Sequence, residues 1–454
     1  SLSPIRPPGA SSIRSTLSCS RAKVSLHLPD KPRLRSPRPS HSVTASISSS
    51  PCSPSATRSL TRPTSSRSSA STAATSTGRL KSPAGAAPVT RQPMRRGFHR
   101  RLWAAPSLAA ATLAAAASAG HEGGMSAAPF TLLAIAQAGR LQYEALLLAA
   151  SLRATDPGFP GRVILAEPQP AGAWQGHATR IDSPAVRAAL ERLEVEVVPF
   201  EAVHFGASYP AGNKIEALSV LPEGVPFLFL DSDTLVTGPL SRVPVAGAPP
   251  SASMRREGTW PEPQLYGPGY GEIWRSLYDR FGLDFDSSLD RAWPDEHWRR
   301  YLYFNAGWFC GPDPAAFHRR FRDTAVAIRD APGEALACQA ITPWLDQIAL
   351  PLVVHALGGA RPGPELAGLD GWATCHWRVM ALLFARESDR VLEVLRAAAA
   401  PNWIKTALKE HEPFRRFLYQ RKGAKVRAMF DRADLPRTEA ELRRRLKAAG
   451  HWLR

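Results

Sequence analysis

The 454-residue sequence has little cysteine, and its five cysteines are scattered along the chain. No two of them have the Cys-x-x-Cys spacing. A disulfide framework needs many paired cysteines in a short chain, and a structural zinc site needs closely spaced thiolates. The sequence therefore argues against both and favours a reducing, cytoplasmic location. The cysteines are Cys19, Cys52, Cys310, Cys338 and Cys375.

Acidic residues are almost absent from the first part of the chain. Residues 1–124 have 18 Lys and Arg residues against only Asp30 and Glu122, a formal charge of +16. Residues 125–385 carry −7 and residues 386–454 carry +9, which together give the overall +18. Because the basic character lies in the two ends of the chain, it does not indicate a nucleic-acid-binding protein.

The N-terminal segment also lacks apolar periodicity. Residues 1–100 are dominated by Ser, Pro, Arg, Thr and Ala, so we predict that residues 1–124 form a disordered Ser/Pro/Arg-rich tail. Residues 101–119 are apolar but rich in alanine and short for a membrane span. Together with the basic residues that follow Met94, they leave a signal peptide as an alternative interpretation.

From Met125 onward, short apolar strands alternate with helices. This alternation predicts an α/β fold with a mostly parallel sheet flanked by helices, whose ligands bind at the carboxyl ends of the strands. We assign residues 125–385 to this domain and residues 386–454 to a basic, helical C-terminal extension. The predicted strands are 130–137, 162–167, 194–200, 226–231 and 301–311, and the predicted helices are 142–155, 183–193, 213–221 and 342–357.

Two carboxylates end the fourth predicted strand, in the sequence "FLFLDSDTLV". A single Asp at this point would be explained as a turn or cap residue. Asp231 and Asp233 are two residues apart, so in an extended chain their side chains point the same way. Like charges held together are costly unless a cation joins them. A divalent ion coordinated by oxygen meets this need and can also bind a diphosphate.

A phosphatase is an alternative interpretation of the same motif. Haloacid-dehalogenase-like phosphatases also end a buried strand in Asp-x-Asp, but they continue with a hydroxyl residue two positions after the second Asp. Leu235 occupies that position here, and Thr234 comes one residue early. A non-catalytic nucleotide-sugar-binding protein is a further alternative.

The segment "NKIEALSVLPEGVPFLFLDSDTLVTGPLSRV" resembles the core of GT-A glycosyltransferases, especially the glycogenin-like and bacterial galactosyltransferase-like members of family 8. The resemblance implies a GT-A (Rossmann-like) fold and a hexosyltransferase. It also implies that Asp231 and Asp233 bind Mn²⁺ (or Mg²⁺), and that the ion binds a nucleoside-diphosphate sugar, with a UDP-sugar expected. Retention of anomeric configuration is expected as well. Lys214 falls at the family's nucleotide-contacting lysine, although an ordinary solvated lysine remains an alternative.

Two further segments extend the resemblance. The sequence "YFNAGWFCG" is similar to the family's Phe-Asn-Ser-Gly strand, which lines the sugar pocket, and Asn305 and Gly307 carry this match. The sequence "WLDQIAL" matches an Asp-Gln pair at a helix start. The resemblance therefore implies that Asp346 and Gln347 face the sugar and the acceptor. A polar residue at a strand end and a helix-start charge are the simpler alternatives for Asn305 and Asp346.

The family's third metal ligand is a histidine far downstream, and His376 in "TCHWR" is the candidate. The Gly and Lys that usually follow this histidine are absent, so Arg378 or Lys405 is expected to supply positive charge near the diphosphate. The family usually begins its first helix with an aromatic residue that stacks on the base. Leu141 occupies the corresponding position here, and Tyr143 is close by.

The acceptor is not specified by the sequence. A carbohydrate or lipid-linked acceptor and a role in polysaccharide biosynthesis are expected, and a protein or a small molecule is the alternative acceptor. The basic residues 386–454 suggest peripheral contact with an anionic membrane surface, such as the inner face of the membrane. A solvated helical surface is the alternative explanation.

We predict that translation starts at Met125. The preceding Glu-Gly-Gly is encoded by purine-rich codons, which would form a ribosome-binding site in a bacterial gene. Residues 1–124 would then be untranslated upstream sequence. Mass spectrometry of the native protein is expected to find an N-terminus at or just after Met125, and peptides from residues 1–124 would contradict this start.

Overall fold

The computed structural model describes residues 129–453 apart from Glu257. The predictions of a disordered tail, a signal peptide and a start at Met125 concern residues outside this range. The three cysteines within it, Cys310, Cys338 and Cys375, are free thiols.

The described residues form strands and helices that alternate through the first half of the domain. The strands are β1 (Thr131–Ile135), β2 (Val163–Pro168), β3 (Glu196–Phe200), β4 (Phe227–Leu230), β5 (Thr234–Val236), β6 (Ser251–Ser253), β7 (Asn305–Gly311) and β8 (Thr374–His376). The helices are α1 (Arg140–Thr155), α2 (Pro184–Arg192), α3 (Asn213–Glu216), α4 (Tyr270–Arg280), α5 (Pro314–Asp330), α6 (Leu345–Ala356), α7 (Met380–Arg386), α8 (Asp389–Ala398), α9 (Asn402–Leu408), α10 (Glu412–Phe414), α11 (Lys422–Ala428) and α12 (Glu439–Ala448).

The central sheet has six strands in the order β3-β2-β1-β4-β7-β6. The first four are parallel, and β7 pairs antiparallel with both β4 and β6. Every residue of β1, β2 and β4 is buried, as expected for strands that are covered by helices on both faces. The mostly parallel α/β fold predicted from the sequence is therefore confirmed.

A second, two-stranded sheet is formed by β5 and β8. The strands are antiparallel, and Thr234 lies opposite His376. Strands of three residues give almost no periodic signal, so neither was predicted. This small sheet matters for the site because it joins the segment after Asp233 to a segment far downstream in the sequence.

Most predicted elements differ from the observed bounds by up to three residues at an end, and two differ by more. The helix predicted over 213–221 is a short α-helix, α3, followed by a 3₁₀ turn over Ala217–Val220. Leu221 is extended because the residue before a proline, here Pro222, avoids helical angles. The strand predicted over 301–311 begins only at Asn305, since β6, its edge partner, is just three residues long. The predicted helix around Pro351 is present as α6.

The C-terminal helices contribute to the same apolar core as α1 and the sheet. Leu392 of α8, Phe414 of α10 and Leu446 of α12 are all at most 2 % exposed. The carboxylate of Glu439, at the start of α12, forms ion pairs with Arg378 at 3.1 Å and Arg386 at 2.7 Å. Among the described residues, no helix combines the length and apolar character needed to cross a membrane.

Shortening Leu446 to alanine is expected to destabilise the whole domain. Because Leu446 is fully buried in the shared core, Leu446→Ala should lower the free energy of unfolding by about 2 to 5 kcal/mol. Urea unfolding followed by tryptophan fluorescence measures this change. Met429→Ala is the control, since Met429 is 37 % exposed. An independent C-terminal unit would instead unfold in its own transition and leave the main transition unchanged.

Candidate active site

The Asp-Ser-Asp segment forms a turn between β4 and β5 at the carboxyl edge of the sheet. The Asp231 N–H donates to the carbonyl of Gly307 at 2.9 Å, and the Trp377 N–H donates to the carbonyl of Asp233 at 3.0 Å. The turn is therefore fixed from the sides of both β7 and β8. The hydroxyl of Ser232 donates to Glu144 Oε2 at 3.1 Å.

His376 completes a cluster with the two carboxylates. Its Nε2 atom lies 3.1 Å from Asp233 Oδ1 and 3.7 Å from Asp231 Oδ2. One potential ligand atom from each of the three residues lies within 4.8 Å of the others. Gly307 leaves room for the imidazole, because a Cβ at this position would lie 2.3 Å from His376 Nδ1.

Lys214, on the short helix α3, lies against the same cluster. Its Nζ atom is 2.9 Å from Asp231 Oδ1 and 3.6 Å from Asp346 Oδ2, and it donates to the carbonyl of Ala306 at 3.2 Å. Burial alone would lower the pKa of Lys214, but the carboxylates of Asp231 and Asp346 outweigh it and raise the pKa. Lys214 is thus a fixed positive charge and not a solvated surface lysine.

The Asp-Gln pair lies at the start of α6, and its two members have different surroundings. Asp346 is 2 % exposed, and its Oδ1 atom accepts a hydrogen bond from the Tyr209 hydroxyl at 2.8 Å. Gln347 is only partly buried, and its Oε1 atom accepts from the Tyr303 hydroxyl at 3.0 Å. Asp346 therefore faces Lys214 and Tyr209, while Gln347 is the more accessible of the two.

The remaining predicted residues are divided between the site and its surroundings. Asn305 Oδ1 accepts from the Gly307 N–H at 2.7 Å at the start of β7. Arg378 lines a cleft together with His376 and Gly307, and its guanidinium is paired with Glu439. Lys405, by contrast, lies on α9 beside the ring of Tyr419.

The aromatic residue near the start of α1 is already engaged. Tyr143 is 8 % exposed and stacks on His411 with ring centroids 5.2 Å apart. Its hydroxyl donates to Glu410 Oε2 at 3.2 Å. Tyr143 is thus covered by the C-terminal segment, and Leu141 is partly buried on the same helix.

Residues 132–358 match a family model described as the Rhodobacterales glycosyltransferase domain. The chain belongs to this family of glycosyltransferases. Membership sets aside the phosphatase interpretation, in agreement with the apolar, fully buried Leu235 at the position where such phosphatases carry a hydroxyl.

Among solved structures, the glycosyltransferase is similar to the galactosyltransferase LgtC in complex with donor and acceptor sugar analogues. The identity is 15 % over 60 % of this chain and 95 % of that chain, with a TM-score of 0.35. It is also similar to an active-site mutant of LgtC in which a glutamine is changed to glutamate. Here the identity is 13 % over 53 % and 78 % of the two chains, with a TM-score of 0.31. No curated protein matches the sequence. The family assignment rests on the domain match alone.

Sequence reasoning missed one acidic residue of the glycosyltransferase site, Glu144. It lies on α1, is 1 % exposed, and pairs with Arg140 at 2.6 Å in addition to accepting from Ser232. Burial and the neighbouring charge of Asp233 raise the pKa of Glu144 to about 8. The lone acid in the mostly apolar segment "LQYEALLLAA" was the signal for it. Tyr209 and Tyr303, which contact the Asp-Gln pair, gave no such signal.

The cluster has the chemistry of a divalent metal centre. Burial alone would raise the pKa of Asp233, but His376 and, more weakly, Arg140 outweigh it and lower the pKa to about 2. Asp233 is therefore ionised under all ordinary conditions. Two carboxylates and one imidazole nitrogen form a donor set that suits Mn²⁺ or Mg²⁺.

Replacing Glu144 with glutamine is expected to flatten the pH dependence of stability. Its pKa is raised from 4.5 in the unfolded chain to about 8 in the folded protein, so the native state binds the extra proton between these values. The contribution of Glu144 to the free energy of unfolding therefore falls as the pH rises through this window, by about 1.4 kcal/mol per unit of pKa shift.

Urea unfolding in EDTA at about pH 5 and about pH 8 tests this pH dependence. Glu144→Gln should lose less of its free energy of unfolding than wild type between these conditions. The exposed Glu191→Gln variant serves as the control and should follow wild type. Parallel pH profiles for wild type and Glu144→Gln would contradict the assigned protonation.

Proposed function

We propose that this glycosyltransferase moves a hexose from a nucleoside-diphosphate sugar to a hydroxyl of a carbohydrate or lipid-linked acceptor, with Mn²⁺ or Mg²⁺ at the cluster. The observation that carries the proposal is the convergence of Asp231, Asp233 and His376 within 4.8 Å at the carboxyl edge of the sheet, beside a lysine. Ligands of open α/β sheets bind at this edge. The choice of a UDP-sugar and the role in polysaccharide biosynthesis rest on the family resemblance.

The residues of the cluster would hold the cation, and the basic residues would complement it. When bound, such a cation acts as a Lewis acid that neutralises the charge developing on the diphosphate leaving group. Lys214 holds Asp231 in place through its 2.9 Å contact and adds a second fixed positive charge. Arg378, which lines the cleft beside His376 and is paired with Glu439, is assigned to the diphosphate as a further positive charge.

The two residues of the Asp-Gln pair have different roles: Asp346 positions Lys214, and Gln347 contacts the sugar. Asp346 is buried and held by Tyr209 and Lys214, so we assign it to fixing the lysine rather than to removing a proton from the acceptor. Gln347 is accessible and, together with Asn305, is assigned to the donor sugar and the reacting centre. The family resemblance suggests retention of anomeric configuration, with the donor phosphate itself accepting the proton of the acceptor hydroxyl.

Changing Asp233 to asparagine is expected to remove both metal binding and sugar transfer. The substitution deletes one charged ligand and the partner of His376, so the Kd for Mn²⁺ should rise by at least about 100-fold. Titration with Mn²⁺ followed by electron paramagnetic resonance measures binding, and release of nucleotide from a panel of nucleotide sugars measures activity.

The matched control is Asp279→Asn, which changes an exposed aspartate on α4. It should keep wild-type metal affinity and activity. The proposal is overturned if Asp233→Asn retains both, or if wild type binds no divalent ion and releases nucleotide equally well in EDTA.

A further inference from the structure

A cationic and aromatic cluster lies beside the site and takes no part in the function proposed so far. Arg256 follows β6, and its guanidinium lies 4.6 Å from the ring centroid of Trp298 and 5.6 Å from that of Tyr303. Arg299 lies on the same tryptophan at 5.0 Å, and on Trp293 at 4.7 Å. Two guanidiniums thus share the ring of Trp298.

Neither guanidinium has an acidic partner among the residues that the structure describes. Arg256 Nη1 donates to the carbonyl of Tyr303 at 3.1 Å, and within the described part of the chain neither Arg256 nor Arg299 forms an ion pair. Burial, with Arg361 and Arg299 as further contributors, lowers the pKa of Arg256 to about 10. A desolvated cation without an anion is costly, and most such groups in proteins are paired.

Tyr303 links the arginine–tryptophan cluster to Gln347. The backbone carbonyl of this tyrosine accepts from Arg256, and its hydroxyl donates to Gln347 at 3.0 Å. In the sheet, Ser253 at the end of β6 lies opposite Asn305 at the start of β7. Arg256 therefore lies at the edge that carries the metal cluster, one side chain away from Gln347.

We propose that Arg256 and Arg299, held by Trp298, bind a negatively charged group of the acceptor sugar, either a carboxylate or a phosphate. The inference rests on the proposed function, because it names the class of acceptor that the same site would use. Stacking on an aromatic ring fixes a guanidinium in one plane and leaves its N–H groups for a bidentate anion.

The first test is a binding experiment on the full chain with glucose, glucuronic acid and glucose 6-phosphate. These sugars have the same pyranose ring and differ in charge at C6. Saturation-transfer NMR and tryptophan fluorescence measure binding without turnover. We expect at least one anionic sugar to bind about tenfold or more tightly than glucose. Preference for glucuronic acid would identify the anion as a carboxylate, and preference for the phosphate would identify a phosphate. Equal binding of all three sugars would overturn the proposal.

Variants then test whether Arg256 and Arg299 cause the preference for anionic sugars. Arg256→Gln should remove it, and Arg299→Gln should weaken it and serve as the second variant where Arg256→Gln does not fold. The control is Arg192→Gln, because Arg192 also lies on a tryptophan, Trp403 at 5.8 Å, but on the exposed surface of α2. An unchanged preference in folded Arg256→Gln and Arg299→Gln would mean that these arginines are structural only.

The two proposals fail separately. If wild type releases nucleotide but does not prefer charged sugars, the acceptor subsite is overturned and the proposed transferase stands. A retained charge preference in a protein that never releases nucleotide would overturn the proposed transfer and leave an anionic sugar-binding site.

Discussion

The site depends on the need to neutralise two carboxylates that are held in one partly buried turn. Asp231 and Asp233 share this turn, and each would be costly without a nearby positive charge. Lys214 lies 2.9 Å from Asp231, and the imidazole of His376 lies 3.1 Å from Asp233. Helix α3 supplies the partner of Asp231, and strand β8 supplies the partner of Asp233.

The antiparallel pairs β4–β7 and β5–β8 position the residues of the candidate site at the edge of the sheet. Strand β7 holds the first residue of the turn through the carbonyl of Gly307, and Trp377, the residue after β8, holds the second Asp through its N–H. Helix α12 adds a constraint from the C-terminus, because Glu439 holds Arg378 beside the cleft. Part of the basic C-terminal segment is thus tied to the site by ion pairs and is not only a solvated surface.

The sequence predicts the parts of this structure that are written in local patterns. Strands β1, β2 and β4 are buried on both faces and are mostly apolar in sequence. The Asp-x-Asp spacing at the end of β4 is visible in ten residues. The rest depends on contacts between distant segments. No local pattern shows that Tyr143 stacks on His411, that Tyr209 binds Asp346, or that the three residues of β8 pair with β5.

Opposite charges follow two strands of the central sheet, β4 and β6. The paired carboxylates lie between β4 and β5, and Arg255 and Arg256 lie after β6. Of these two arginines, only Arg255 has an acidic partner among the described residues, Glu387 at 3.4 Å. The segments that follow these strands therefore give one half of the candidate site two carboxylates and the other half a guanidinium, that of Arg256, with no acidic partner among the described residues. A net charge of −7 for residues 125–385 averages over this contrast. The local field that a donor diphosphate or an acceptor meets follows from the order of the strands, which brings β4, β7 and β6 side by side.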